Sequence, residues 1–141
     1  MRLKKLRIAL LLAVVLAAPE VAGNQTWREV ARTPQQTTYL APGSIEKTAD
    51  SLRFWALIDH ASPQKQFRSD RLYRSTRMQR EVRCDARTMA ISRWELFELP
   101  GAGGKLVGEF VVPEAAFHYS PVAPGSDDEA LLQSVCPRTA G

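Results

Sequence analysis

The chain has 141 residues, 45% of them hydrophobic and 24% charged, with 19 Lys plus Arg against 15 Asp plus Glu, a net charge of +4. Four of those basic residues (Arg2, Lys4, Lys5, Arg7) and one acid (Glu20) lie in the first 23 positions, so residues 24–141 carry 15 against 14, or +1. A domain so near neutrality lacks the field that draws polyanions, which argues against nucleic acid as a partner, and its 118 residues make one domain.

The first predicted element is a cleavable signal peptide over 1–23. Its four basic residues form the n-region, and the apolar run Ile8 to Ala18 has 11 residues, about half of the roughly 20 a membrane-spanning helix needs. Val21 and Gly23 suit the recognition positions for cleavage after Gly23. The expected product is periplasmic or secreted, without a transmembrane anchor. No cysteine directly follows the apolar run, so no lipid anchor is expected either.

From Trp27 to about Phe110 the chain reads as β segments separated by turn chemistry, without a repeat. Trp27 to Arg32 and Thr37 to Leu40 come first, and Ala41, Pro42, Gly43 and Ser44 form a turn. Leu52 to Asp59 is apolar at six of eight positions, as a strand covered on both faces should be, and Ala61, Ser62 and Pro63 are expected to end it. Asp70 to Cys84, Thr88 to Leu99 and, after the Gly101 to Gly104 turn, Lys105 to Val112 complete an antiparallel meander. Ser126, Asp127, Asp128 and Glu129 then read as a capping box opening a helix that ends at Pro137. Leu132 and Cys136 share a face of that helix.

Cys84 and Cys136 are the only cysteines. In an oxidising compartment an even count pairs by default, with two buried free thiols as the alternative. A bond between them closes a loop of about 52 residues, which chain-entropy reasoning values at on the order of 4 kcal/mol. It would clamp the helix to one sheet face. The expected fold class is therefore α+β: about six antiparallel strands with a C-terminal helix tied to one face.

Eight arginines (68, 71, 74, 77, 80, 83, 87, 93) fall between Arg68 and Arg93 against the acids Asp70, Glu81 and Asp85. Strand alternation puts Leu72, Arg74, Thr76, Met78, Arg80 and Val82 on the Cys84 face. Arg71, Tyr73, Ser75, Arg77, Gln79, Glu81 and Arg83 fall on the other, which is expected to be solvated. One reading pairs these arginines with acids on neighbouring strands. The other makes Arg71, Arg77 and Arg83, with Tyr73 as a stacking partner, a binding patch for a protein or anionic ligand. A β-bulge would reassign the faces.

No catalytic, cofactor or metal pattern is legible. His60 beside Asp59 and His118 between Phe117 and Tyr119 are not assembled with a nucleophile, and zinc would consume both cysteines. A small periplasmic enzyme using His60 or His118 is the alternative to a non-enzymatic domain.

In order and spacing, several short marks resemble the surface-adhesin protein E-like family. They are Trp27; Tyr39 with Ser44-Ile45; Phe54-Trp55-Ala56-Leu57; Glu81 to Asp85 with Arg87; and Pro121-Val122-Ala123-Pro124-Gly125-Ser126 leading to Val135-Cys136. The resemblance covers about Trp27 to Cys136 and implies a disulfide-tied sheet and helix, a Gram-negative envelope location and, for the family's namesake, adhesion to host extracellular-matrix proteins. The namesake type is lipid-anchored and this chain lacks the lipidation cysteine. No binding residue is carried over. The reading is an exported binding domain that uses an open sheet face or an edge strand; a structural role with homodimers through the sheet edges is the remaining alternative.

Overall fold

The structure, a computed structural model, describes residues 25–138. The predicted signal, 1–23, and its cleavage bond lie outside the described residues. Strands β1 (Arg28–Arg32), β2 (Gln36–Leu40), β4 (Leu52–Lys65), β5 (Leu72–Arg83), β6 (Thr88–Leu99) and β7 (Gly103–Val111) pair antiparallel in that order. Two short strands extend the sheet: β3 (Glu46–Lys47) pairs with the start of β4, and β8 (Ser120–Pro121) with the start of β6. Helix α1 (Asp127–Val135) follows, and Cys84 is bonded to Cys136. The expected α+β class and its disulfide are what the chain forms. Among the described residues, no helix is long and apolar enough to cross a membrane.

Cross-strand register sorts the side chains of the helix-bearing face into rows. Leu52, Val82 and Met89 form the first, Phe54, Arg80 and Ile91 the second, Leu40, Ala56, Met78, Trp94 and Phe110 the third, and Thr38, Ile58, Thr76, Leu96 and Gly108 the fourth. Leu131, Leu132 and Val135 of α1 pack on Leu40, Phe54, Ala56, Val82 and Met89. Each of the larger side chains among these, when fully buried, contributes about 1.5–3 kcal/mol.

A nine-residue helix is too short to persist alone, so its ends are fastened. Ser126 Oγ accepts the Glu129 N–H at 3.2 Å, as the capping box requires. The reciprocal arm differs from expectation: Glu129 Oε1 accepts from the Gly125 N–H at 3.3 Å, because the Ser126 N–H already donates to the Ala123 carbonyl. Asp127 and Asp128 do more than complement the helix dipole. Asp127 accepts from Gln36 Nε2 and Thr38 Oγ1 on β2 at 2.7 and 2.9 Å. Asp128 takes both Nη groups of Arg80, at 2.9 and 3.0 Å, while Arg80 Nε donates to the Ala90 carbonyl at 3.2 Å. Arg80, its side chain only 6% exposed, is thereby satisfied inside the core.

The expected end of the fourth strand is corrected. β4 continues through Ala61, Ser62 and Pro63 to Lys65. Asp59 faces Ser75 and Gln64 faces Tyr73, so residues 60–63 bulge out opposite Arg74 alone. Pro63 is tolerated because a bulge asks no ladder N–H of it.

Replacing both cysteines (Cys84→Ser with Cys136→Ser) should lower stability by about 2–4 kcal/mol in urea unfolding, since the cross-link that restricts the unfolded chain is lost. An unchanged midpoint would mean that the helix is held by its N-terminal ties alone.

Candidate functional site

The bulge in β4 lets the β4–β5 hairpin bend across the helix-bearing face, beyond the end that α1 covers. Its tip is closed by Gln66 N–H donating to the Arg71 carbonyl at 2.9 Å and by Ser69 N–H donating to the Gln66 carbonyl at 3.2 Å. The tip reaches β7: a Cβ on Gly108 would stand 2.7 Å from Gln66 Nε2, so the missing side chain there makes room for the Gln66 amide. Between the tip and the sheet lies an open groove of about 430 Å³, lined by Ile58, Met78, Trp94, Leu96, Phe110 and Phe67, with Gln66, Tyr73 and Thr76 among its polar members. Phe67 is 81% exposed and Phe110 47%. Large apolar side chains so exposed, around a concavity, mark a surface built to meet something.

The candidate arginines part company. Arg77 Nε donates to Glu95 Oε2 at 2.6 Å, and its guanidinium lies 5.1 Å from the Trp55 ring centre and 5.3 Å from that of Phe97. Arg83 pairs with Asp50 at 3.0 Å and stacks 3.7 Å over the Tyr119 ring centre. Arg80, Arg87 and Arg93 pair with Asp128, Glu129 and Glu109. Arg68, Arg71 and Arg74 have no ion-pair partner among the described residues, and Arg74 Nε is buried without a hydrogen bond. Six residues of strand separate Arg77 from Arg83, about 20 Å. Arg71 and Tyr73 lie at the hairpin, Arg77 at the middle of the sheet and Arg83 at its far end, so the four do not converge.

The face opposite the helix is not the solvated surface expected. Ser75 and Glu81 are buried and the Arg77 side chain is 13% exposed. Glu81 accepts from Ser51 Oγ at 2.8 Å and pairs with Arg53; that hydrogen bond raises the Arg53 guanidinium above its ordinary range. Ser75 Oγ donates to the Leu99 carbonyl at 2.6 Å and accepts from the Ala102 N–H at 3.0 Å, so the Pro100–Ala102 turn roofs that end. Flat guanidinium groups laid over rings and against carboxylates cover a polar face as aliphatic residues cover an apolar one.

Tyr73 also changes sides. Strand alternation groups it with Arg77, yet it lines the groove with Thr76 and Met78, and its ring meets that of His60 edge-on with centres 5.5 Å apart. The bulge opposite Arg74 accounts for the switch. His60 is bonded through Nε2 to Thr76 Oγ1 at 3.0 Å, and burial holds its pKa below the ordinary value against the opposing charge of Asp59. His118 is exposed. Sequence reasoning missed Phe67, Trp94 and Phe110; the usable signal was that β6 and β7 carry more large apolar residues than a helix with three can cover.

A family model described as surface-adhesin protein E matches residues 27–137. Among solved structures, that of Haemophilus influenzae protein E superposes with a TM-score of 0.58 at 14% identity, covering 82% of this chain and 84% of that one. A crystal structure of protein E from non-typeable Haemophilus influenzae gives 0.55 at 14%, covering 82% and 78%. At that identity the likeness is one of fold. No curated protein sequence matches the chain.

Because burial depresses the pKa of His60, the unfolded state binds its proton more readily than the folded one. The contribution of neutral His60 is complete above about pH 6.5 and is lost as pH falls below it. Urea midpoints should therefore fall between pH 7.5 and 5.5, and His60→Gln should flatten that slope. An equal slope in the variant would place the dependence elsewhere.

Proposed function

The chain belongs to the surface-adhesin protein E family, and from that premise we propose that it is an exported, non-enzymatic binding domain of the bacterial envelope that captures a protein partner at the groove between the β4–β5 hairpin and β6–β7. The observation that carries this reading is the contrast between the groove and the rest of the molecule. From Arg77 to Arg93 the arginines of the sheet are paired and the apolar stripe of α1 is buried, whereas Phe67 and Phe110 stand exposed around a concavity; the other exposed large apolar side chains, Leu72, Leu99, Leu106 and Val111, are not part of that lining. Arg71 and Tyr73 belong to this capture surface; Arg77 and Arg83 support it from a distance by holding the sheet.

Three further features support the reading. The Cys84–Cys136 bond suits an oxidising compartment, as the predicted signal requires. His60 bonds Thr76 through Nε2, and among the described residues no acid hydrogen-bonds its other ring nitrogen to orient it as a general base. The groove's floor is built from strands β4 to β7, a rigid setting that keeps the entropy lost on binding small.

After expression of the full chain in a Gram-negative host, the protein should be recovered from the periplasm with an intact mass that begins at Asn24, within a few residues. That material should bind saturably to an immobilised basement-membrane extract. Phe67→Ser combined with Phe110→Ser, both exposed positions, should weaken capture about tenfold or more while leaving the melting temperature nearly unchanged. Undiminished capture by the double variant would remove the groove from the function.

A further inference from the structure

Resting on the groove as the capture surface, we propose that the partner presents an acidic peptide segment, with a bulky apolar side chain seated in the groove and carboxylates on Arg68 and Arg71. The arginine ladder divides in two. From Arg77 onward, Arg77, Arg80, Arg83, Arg87 and Arg93 each have an acid within ion-pair distance. The three before them, Arg68, Arg71 and Arg74, have none among the described residues. All three fall within the hairpin that forms the groove's outer wall. The nearby acid, Asp70, is already engaged by Lys65 at 2.9 Å, so the wall keeps an excess of positive charge.

Position ties this charge to the groove. The Arg68 guanidinium lies 5.0 Å from the centre of the Phe67 ring, and Phe67 is a lining residue. Arg71 accepts the backbone bond from Gln66, a second lining residue, and its side chain is exposed. Arg68 is one of three non-glycine residues with positive φ among the described residues, at 59°, so the tight turn that presents it is itself held at a conformational cost. Exposed guanidinium forks beside aromatic rings are the usual anchors of protein interfaces, and the fork matches a carboxylate bidentately. A peptide suits the shape better than a lipid surface does. The apolar lining is concave, and at the hairpin only Phe67 and the neighbouring Leu72 are exposed large apolar side chains, whereas a bilayer is met by a convex apolar edge.

The test uses the protein purified from the periplasm and fluorescein-labelled synthetic peptides in anisotropy titrations. One peptide carries a Trp-Leu pair flanked by Asp and Glu; a second replaces its acids by Lys; a third replaces Trp-Leu by Ser. The acidic-apolar peptide should bind at least tenfold more tightly than either of the others, and its binding should weaken with added salt. Arg68→Glu with Arg71→Glu, at two exposed positions, should reduce that affinity at least tenfold without lowering the melting temperature. Equal binding of the acidic and basic peptides, or an affinity untouched by the charge reversal, would overturn the proposal. So would Arg68- and Arg71-dependent binding to phosphatidylglycerol vesicles in the absence of any preference for the acidic peptide, which would assign the arginines to a membrane. If the acidic peptide fails while capture on basement-membrane extract still depends on Phe67 and Phe110, the acidic partner is overturned and the capture reading stands. If both dependences are absent, the two fall together.

Discussion

The arrangement follows from how little of the sheet one short helix can cover. Nine helical residues span about 14 Å, whereas the twelve-residue β5 and β6 run to about 40 Å. Helix α1 therefore closes the core at one end, over Phe54, Val82 and Met89, and leaves Met78, Trp94, Leu96 and Phe110 to be dealt with at the other. Arg80 stands at the boundary. Its bidentate bond to Asp128 ends the covered region of β5 on a satisfied charge, and in the next row Met78, Trp94 and Phe110 already face the groove.

The molecule manages its two uncovered surfaces by different means. On the face away from the helix, Arg77, Glu95, Arg93 and Glu109 form a chain of ion pairs across β5, β6 and β7, with Trp55 and Phe97 against Arg77. That face is closed by its own side chains around Arg77 and Glu95, while at the β7 edge Leu106 and Val111 stay exposed. On the helix-bearing face, the bent hairpin makes a partial roof but leaves Phe67 outside and three arginines without acids. The proposed capture surface lies where this self-satisfaction stops.

The same division separates stability from recognition. The disulfide and the Asp127 and Asp128 contacts hold α1 at both ends, so the core does not depend on anything the groove does. A surface that can change its side chains without unfolding its scaffold is suited to partners that vary, and exposed hairpin tips are where such change is tolerated best.

The sequence by itself determined the elements that rest on local rules. The alternation of β6 from Thr88 to Leu99, the capped helix after Ser126 and the pairing of Cys84 with Cys136 depend on neighbours in the chain or on cysteine count, and each is legible there. The arginine spacing was legible too, but not its meaning, because an ion pair across a sheet depends on register. Only the tertiary structure brought Glu95 to Arg77 and Asp50 to Arg83 while leaving Arg68, Arg71 and Arg74 unmatched. The four-residue bulge at 60–63 is the other decision made in three dimensions. Pro63 looks like the end of a strand, and the partner strand alone made it a bend, which turned Tyr73 to the other face and brought Phe67 to the same groove as Trp94 and Phe110. Periodicity shows which residues share a face of one strand. It does not show where the strand changes direction, and here the candidate site was made at that point.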